Sequence, residues 1–113
     1  MFIRLEHYKL PSLPNLREHW RTKSERARRH RNDAYYAVLA QTEAVAFPCL
    51  VTITRIGPRV LDSDNAVASC KNLRDGIADG LRIASDADPR VEWRYAQRRG
   101  PHAVEIEIVS VQS

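Results

Sequence analysis

Between Leu16 and Gln41 the chain carries neither glycine nor proline, and Trp20, Ala27, Ala34, Val38 and Gln41 recur at near-helical spacing. This predicts one long helix. In a chain of 113 residues such a helix leaves room for a single domain, residues 1–113, and not for two. Any binding and any chemistry must share that one core.

On either side of the helix strand patterns appear. Phe2 to Tyr8 sets Phe2, Arg4 and Glu6 against Ile3, Leu5 and His7, a short strand that Pro11 and Pro14 close. Ala46 to Ile56 holds Val51, Thr52, Ile53, Thr54 and Ile56 ahead of Gly57-Pro58, which reads as a central strand entering a turn. A second helix is predicted from Ala66 to Ile83, burying Val67, Cys70, Leu73, Ile77 and Leu81 and capped by Asp64 or Asn65. Val91, Trp93 and Tyr95, then Val104, Ile106 and Ile108, alternate with charged residues. They read as two strands joined by a hairpin at Arg98-Arg99-Gly100-Pro101. The expected fold class is α+β, in the order strand, helix, strand, helix, strand, strand, with the helices packed on one sheet.

The formal net charge is +4, which makes a polyanion a plausible partner. The first half of the long helix concentrates that charge: Arg17, Arg21, Lys23, Arg26, Arg28, Arg29 and Arg31 stand against Glu18 and Glu25. The second half is nearly uncharged, so the helix is expected to pack by its C-terminal half and project the basic half outward. For Trp20, Tyr35 and Tyr36, core packing is favoured over stacking on bases. Cys49 and Cys70 lie in apolar stretches and read as buried reduced thiols. The N-terminus lacks the apolar core of a signal peptide, and the run Ala44 to Val51 is too short to span a bilayer. A cytoplasmic domain without membrane contact is expected. His7, His19, His30 and His102 show no ligand spacing with the cysteines, so zinc is not expected.

Against this basic background, Asp62, Asp64, Asp75, Asp79, Asp86 and Asp88 crowd one segment with only Lys71, Arg74 and Arg82 as cations. Asp62 and Asp64 stand two apart. In an extended chain both carboxylates point one way, and a hard cation such as magnesium takes one or two carboxylates plus water and phosphate oxygens. On spacing alone, helix capping and turn formation are the commoner origin of D-S-D-N. Along the predicted helix Asp64, Lys71 and Asp75 share a face at steps of seven and four, with Lys71 and Asp75 also an ordinary i,i+4 pair. Asp86-Ala87-Asp88-Pro89 follows, an acidic turn able to return a carboxylate to Asp62 and Asp64.

LDSDN, then KNLRDGIADGL with Lys71 four residues before Asp75, then SDADPRVEW and the closing VEIEI resemble the RusA family of Holliday-junction resolvases over roughly the C-terminal half of the chain. The resemblance implies a magnesium-dependent homodimer, with manganese able to substitute, that nicks four-way DNA junctions in recombination and repair. It places catalytic and metal-binding carboxylates on Asp62, Asp64 and Asp88, and a catalytic lysine on Lys71. Asp75 and Asp86 are further acidic candidates, and either Asp86 or Asp88 can be the third ligand, with Asp88 favoured by its distance to Val91. The chain departs from the family pattern by about three extra residues before Lys71, close to one helical turn, and by a looser acidic turn. The basic helix, with Arg98 and Arg99, would then contact DNA phosphates. The competing readings are a non-catalytic nucleic-acid-binding protein on the same fold and a nuclease preferring flaps or forks.

Overall fold

A computed structural model describes residues 1–11 and 19–111; Arg17, among the expected DNA contacts, lies outside them. The elements run β1 (Phe2–Glu6), α1 (Trp20–Leu39), β2 (Cys49–Gly57), α2 (Ser63–Ser69), α3 (Lys71–Gly80), β3 (Val91–Arg99) and β4 (Ala103–Ser110). This is the α+β order expected, with the second helix divided in two.

The four strands form one mixed sheet in the order β1-β4-β2-β3. β2 pairs in parallel with β3, Cys49 opposite Val91 through Gly57 opposite Arg99. It pairs antiparallel with β4 on its other side. The expected hairpin is therefore absent: β3 and β4 flank β2, and the link between them crosses over the end of β2. Gly100 makes that crossing, its amide donating to the Gly57 carbonyl at 3.0 Å. A Cβ there would stand 3.1 Å from Ile56 Cγ2. Turn residues fix where a chain reverses, not which neighbour it pairs with afterwards.

The apolar alternation read from the strands does face the helices. Ile3, Val51, Ile53, Val104, Ile106 and Ile108 share one buried cluster with Ala34 and Val38 of α1 and Leu73, Ile77 and Ala78 of α3. Burying each large aliphatic side chain contributes roughly 1.5–3 kcal/mol. The other sheet face is polar, with Arg98 of β3 donating to Glu105 of β4 at 3.1 and 3.0 Å and Arg4 of β1 meeting the same carboxylate.

The two helices approach closely because of glycine. A Cβ on Gly76 would lie 2.1 Å from the Arg31 carbonyl oxygen, and one on Gly80 2.7 Å from Val38 Cβ. Beside this contact Arg31 spans the two helices, its Nε and Nη2 donating to Asp79 at 2.6 and 2.9 Å. The chain leaves α3 through Arg82, which takes a left-handed φ of 60°, and the Ile83 amide returns to the Ala78 carbonyl at 3.2 Å. This ends the helix short of the expected Ile83.

α1 buries Arg26, His30, Ala34 and Val38, a stripe at steps of four that reaches into the basic half. Trp20, expected to be in the core, is 67% exposed, and Tyr36 is exposed as well. Both rings lie off the buried stripe of α1. His30, 3% exposed, lies against the ring of Tyr8, whose hydroxyl donates to Asp33 at 2.7 Å. Burial, reinforced by Arg29 and Arg26 and opposed by Asp33, pulls its pKa down to about 4.

The unfolded chain binds this proton near pH 6.5, whereas the folded chain resists it until about pH 4. Stability contributed by neutral His30 is therefore complete above about pH 6.5 and is lost as pH falls toward 4. Thermal unfolding followed from pH 7 to 4 should show this acid limb flattened in His30→Gln. An unchanged slope would assign the limb to other groups.

Candidate functional site

β2, α2, α3 and β3 form one strand-helix-strand crossover, and the acidic residues lie on its connections. α2 starts at Ser63 with Asp62 as its N-cap, not at Ala66 with Asp64 or Asn65 in that role. The Asp62 carbonyl accepts from the Ala66 amide at 2.9 Å, but its carboxylate makes no capping hydrogen bond. Asp64 stands in the first turn, where the helix dipole favours negative charge. The Asp62-Ser63-Asp64 segment is thus a helix start and not the extended chain in which both side chains would point one way.

Five of the seven aspartates are engaged. Asp33 accepts from Tyr8, Asp75 and Asp86 from Lys71, and Asp79 from Arg31, while Asp88 accepts from Arg90. Asp62 and Asp64 are exposed and, among the described residues, have no hydrogen-bond or ion-pair partner.

The helix breaks at Cys70, which is buried and caps α3 in place of continuing α2. Burial pushes its thiol pKa up to about 11, so it is a neutral packing group. Because of the break, Asp64 and Lys71 do not ride on one continuous helix. The shared face predicted for Asp64, Lys71 and Asp75 survives only for the last two.

Lys71 Nζ donates to Asp75 Oδ1 at 2.9 Å and to Asp86 Oδ2 at 3.2 Å. These bonds, Asp75 first, raise its pKa against a smaller burial effect and keep it an ammonium. Arg74 Nε lies 2.6 Å from the same Asp86 oxygen, and its Nη1 donates to the Tyr95 hydroxyl at 2.6 Å. Trp93 Nε1 donates to the Asp86 carbonyl at 2.9 Å. Burial alone would raise the Asp86 pKa, yet Lys71 and Arg74 hold it below the usual carboxylate range. Arg74, Trp93 and Tyr95 were not expected at the site; β3 alternation places the two aromatics on one face without indicating their partners.

Asp86, not Asp88, therefore faces Lys71. Arg90 closes a local fork on Asp88, its Nε and amide on Oδ1 at 3.1 and 2.9 Å and its Nη2 on Oδ2 at 2.8 Å. These bonds bring the Asp88 pKa down to about 2. Asp88 sits by Val91 at the start of β3, its carbonyl bonded to the Val91 amide. Leu61 is tied to Gln97 near the other end, and six strand residues separate those levels by about 20 Å. The expected return of Asp88 to Asp62 and Asp64 does not occur. Among the described residues no group of three carboxylate, histidine or cysteine side chains converges to hold a metal.

Of the basic residues, Arg31 is spent on Asp79 and Arg98 on Glu105. Arg26 is buried, and Arg21 lies over the ring of Trp20, 5.6 Å from its centroid. Lys23, Arg28, Arg29 and Arg99 are exposed. No helix among the described residues is long and apolar enough to cross a membrane.

No protein-family model, no curated protein and no solved structure matches the chain.

Proposed function

We propose that the chain is a magnesium-dependent endodeoxyribonuclease that hydrolyses phosphodiesters in branched DNA, four-way junctions first. The observation that carries this reading is the pair Asp62 and Asp64, exposed and, among the described residues, without partners at the exit of a parallel strand, in a domain whose other aspartates are all engaged. A hard cation needs only one or two protein carboxylates, its remaining positions going to water and phosphate oxygens. Manganese would substitute for magnesium on the same donors.

Asp62 and Asp64 would hold the ion, which when bound supplies Lewis acidity toward the phosphate and lowers the pKa of water. Lys71 offsets charge building on the phosphate. Asp75 and Asp86 keep that lysine charged, which gives Asp86 a supporting part in place of a ligand's. Lys23, Arg28 and Arg29 on the exposed face of α1 attract the backbone without reading sequence. A homodimer would set two such sites on opposing strands of one junction. Cytoplasmic residence agrees with the free, buried Cys49 and Cys70.

A second reading, a DNA-binding protein without catalysis, is favoured by the lack of a third converging ligand among the described residues. Labelled four-way, flap and linear DNA incubated with the protein in magnesium, manganese or EDTA separates the two. Metal-dependent nicking concentrated on the four-way substrate is the expected result. Binding without cleavage in either metal selects the second reading, and preference for flaps reassigns the substrate. Under both readings the triple change Lys23→Ala, Arg28→Ala, Arg29→Ala should reduce the slope of log affinity against log salt by about three. An unchanged slope places DNA elsewhere.

A further inference from the structure

The sheet ends on β3, which pairs with β2 alone. The Cys49 amide donates to the Arg90 carbonyl at 2.9 Å and the Gly100 amide to the Gly57 carbonyl at 3.0 Å. In a parallel ladder so aligned, Glu92, Arg94, Ala96 and Arg98 turn their backbone groups toward β2, and Trp93, Tyr95 and Gln97 turn theirs outward. Among the described residues those three outward amides and carbonyls meet no backbone partner.

Proteins ordinarily blunt such an edge with a short strand, a bulge, a proline or a covering segment. β1, at the other edge, has five residues and is followed by His7 at a left-handed φ of 54°. β3 has nine, contains no proline, and is matched to β2 residue for residue from Val91 to Arg99. Beside it an open groove runs along α2, lined by Ala66, Val67, Trp93 and Tyr95, with Val67 38% exposed. A regular, uncovered edge flanked by apolar surface is a template for another strand.

The charges on β3 select a second copy of the same strand. Two β3 strands laid antiparallel about a two-fold axis through Tyr95 overlap along their full length. On the exposed face Glu92 then lies opposite Arg98 of the partner subunit, twice over by symmetry, and Arg94 lies opposite the partner's Ala96. Moving the axis one residue either way sets Arg94 against an arginine. Moving it two leaves barely half of each strand paired. In the centred register Trp93 faces the partner's Gln97 and Tyr95 faces the partner's Tyr95, so the outward backbone groups fall at the hydrogen-bonded positions of an antiparallel ladder.

We propose that β3 is a self-association edge through which two copies of the chain join their four-stranded sheets into one, with both helical layers on the same side. The contact rests on the edge and not on the nuclease reading, so dimerisation and DNA cleavage stand or fall separately.

Sedimentation equilibrium and amide hydrogen exchange on the full chain test this. Ala96 is exposed, so a charge placed there leaves the core undisturbed. Ala96→Glu should tighten the dimer several-fold by facing Arg94 of the partner subunit, while Ala96→Arg and Glu92→Arg should each weaken it by up to about tenfold. As concentration rises, exchange should slow at the amides of Trp93, Tyr95 and Gln97 and hold constant at Arg94 and Ala96, which already bond to β2. A chain that stays monomeric at every concentration would overturn the proposal and leave the edge to a partner of another kind. A dimer indifferent to all three substitutions, or one in which the Trp93, Tyr95 and Gln97 amides stay open, would overturn it by placing the interface elsewhere.

Discussion

Gly76→Ala should cost the domain about 3 kcal/mol, near the upper end of what an added methyl group costs in a packed interior. Helix propensity points the other way, since alanine in a helix interior is favoured over glycine by up to about 1 kcal/mol. The sign is decided by the 2.1 Å approach of a Cβ to the Arg31 carbonyl oxygen. That atom is backbone and cannot rotate aside, so α1 and α3 must separate and loosen the contacts of Ala34 and Ile77. Gly80→Ala meets the Val38 side chain at 2.7 Å, which a small shift relieves, and its penalty should be smaller. Urea unfolding of both variants tests the order. A Gly76→Ala protein as stable as the native one would show that the helices do not cross this closely.

Asp64→Asn should lower cleavage of a four-way junction by about 10³-fold, the loss expected when a ligand to a catalytic cation is removed. Stability should change by no more than about 1 kcal/mol, because the exposed side chain has no partner to lose and gives up only its favourable charge in the first helical turn. Asp62→Asn should match it. Asp75→Asn is predicted to be milder, since Asp86 still holds Lys71 from the other side. Single-turnover cleavage, junction binding and a melting curve on each variant separate these outcomes. Loss of binding together with cleavage would move the two aspartates from catalysis to folding or DNA contact.

How far sequence carries differs between fold and site, for reasons visible in single residues. Period-two alternation pointed Ile3, Ile106 and Ile108 to one sheet face because burial there needs only that pattern, and the β-branched run around Val51 and Ile53 marked a central strand. Pairing partners were out of reach: nothing local in Arg98-Arg99-Gly100-Pro101 says that β2 will lie between β3 and β4. The helix break at Cys70 was equally hidden, since the apolar stripe runs through it without a gap. At the site, the Lys71–Asp75 pair follows from spacing, whereas Asp86 and Arg74 meet Lys71 and Tyr95 only through the tertiary fold. Gly76 and Gly80, four apart on one helix face, signal close packing by their size alone.

The placement of β4 bears on how the chain reaches this fold. β1 has one sheet neighbour, β4, with Phe2 opposite Glu107 and Glu6 opposite Ala103. The terminal ammonium also closes on the Ile108 carbonyl at 2.9 Å. During synthesis, then, β1 must wait for β4, with Ile3 and Leu5 unsheltered until the intervening helices and strands have been made. Closure across that span is paid before any β1 contact rewards it, which puts sheet completion among the slower folding events. The α1–α3 contact, made between segments much nearer in sequence, is the natural structure to form first and hold the β2–β3 pair until β4 arrives.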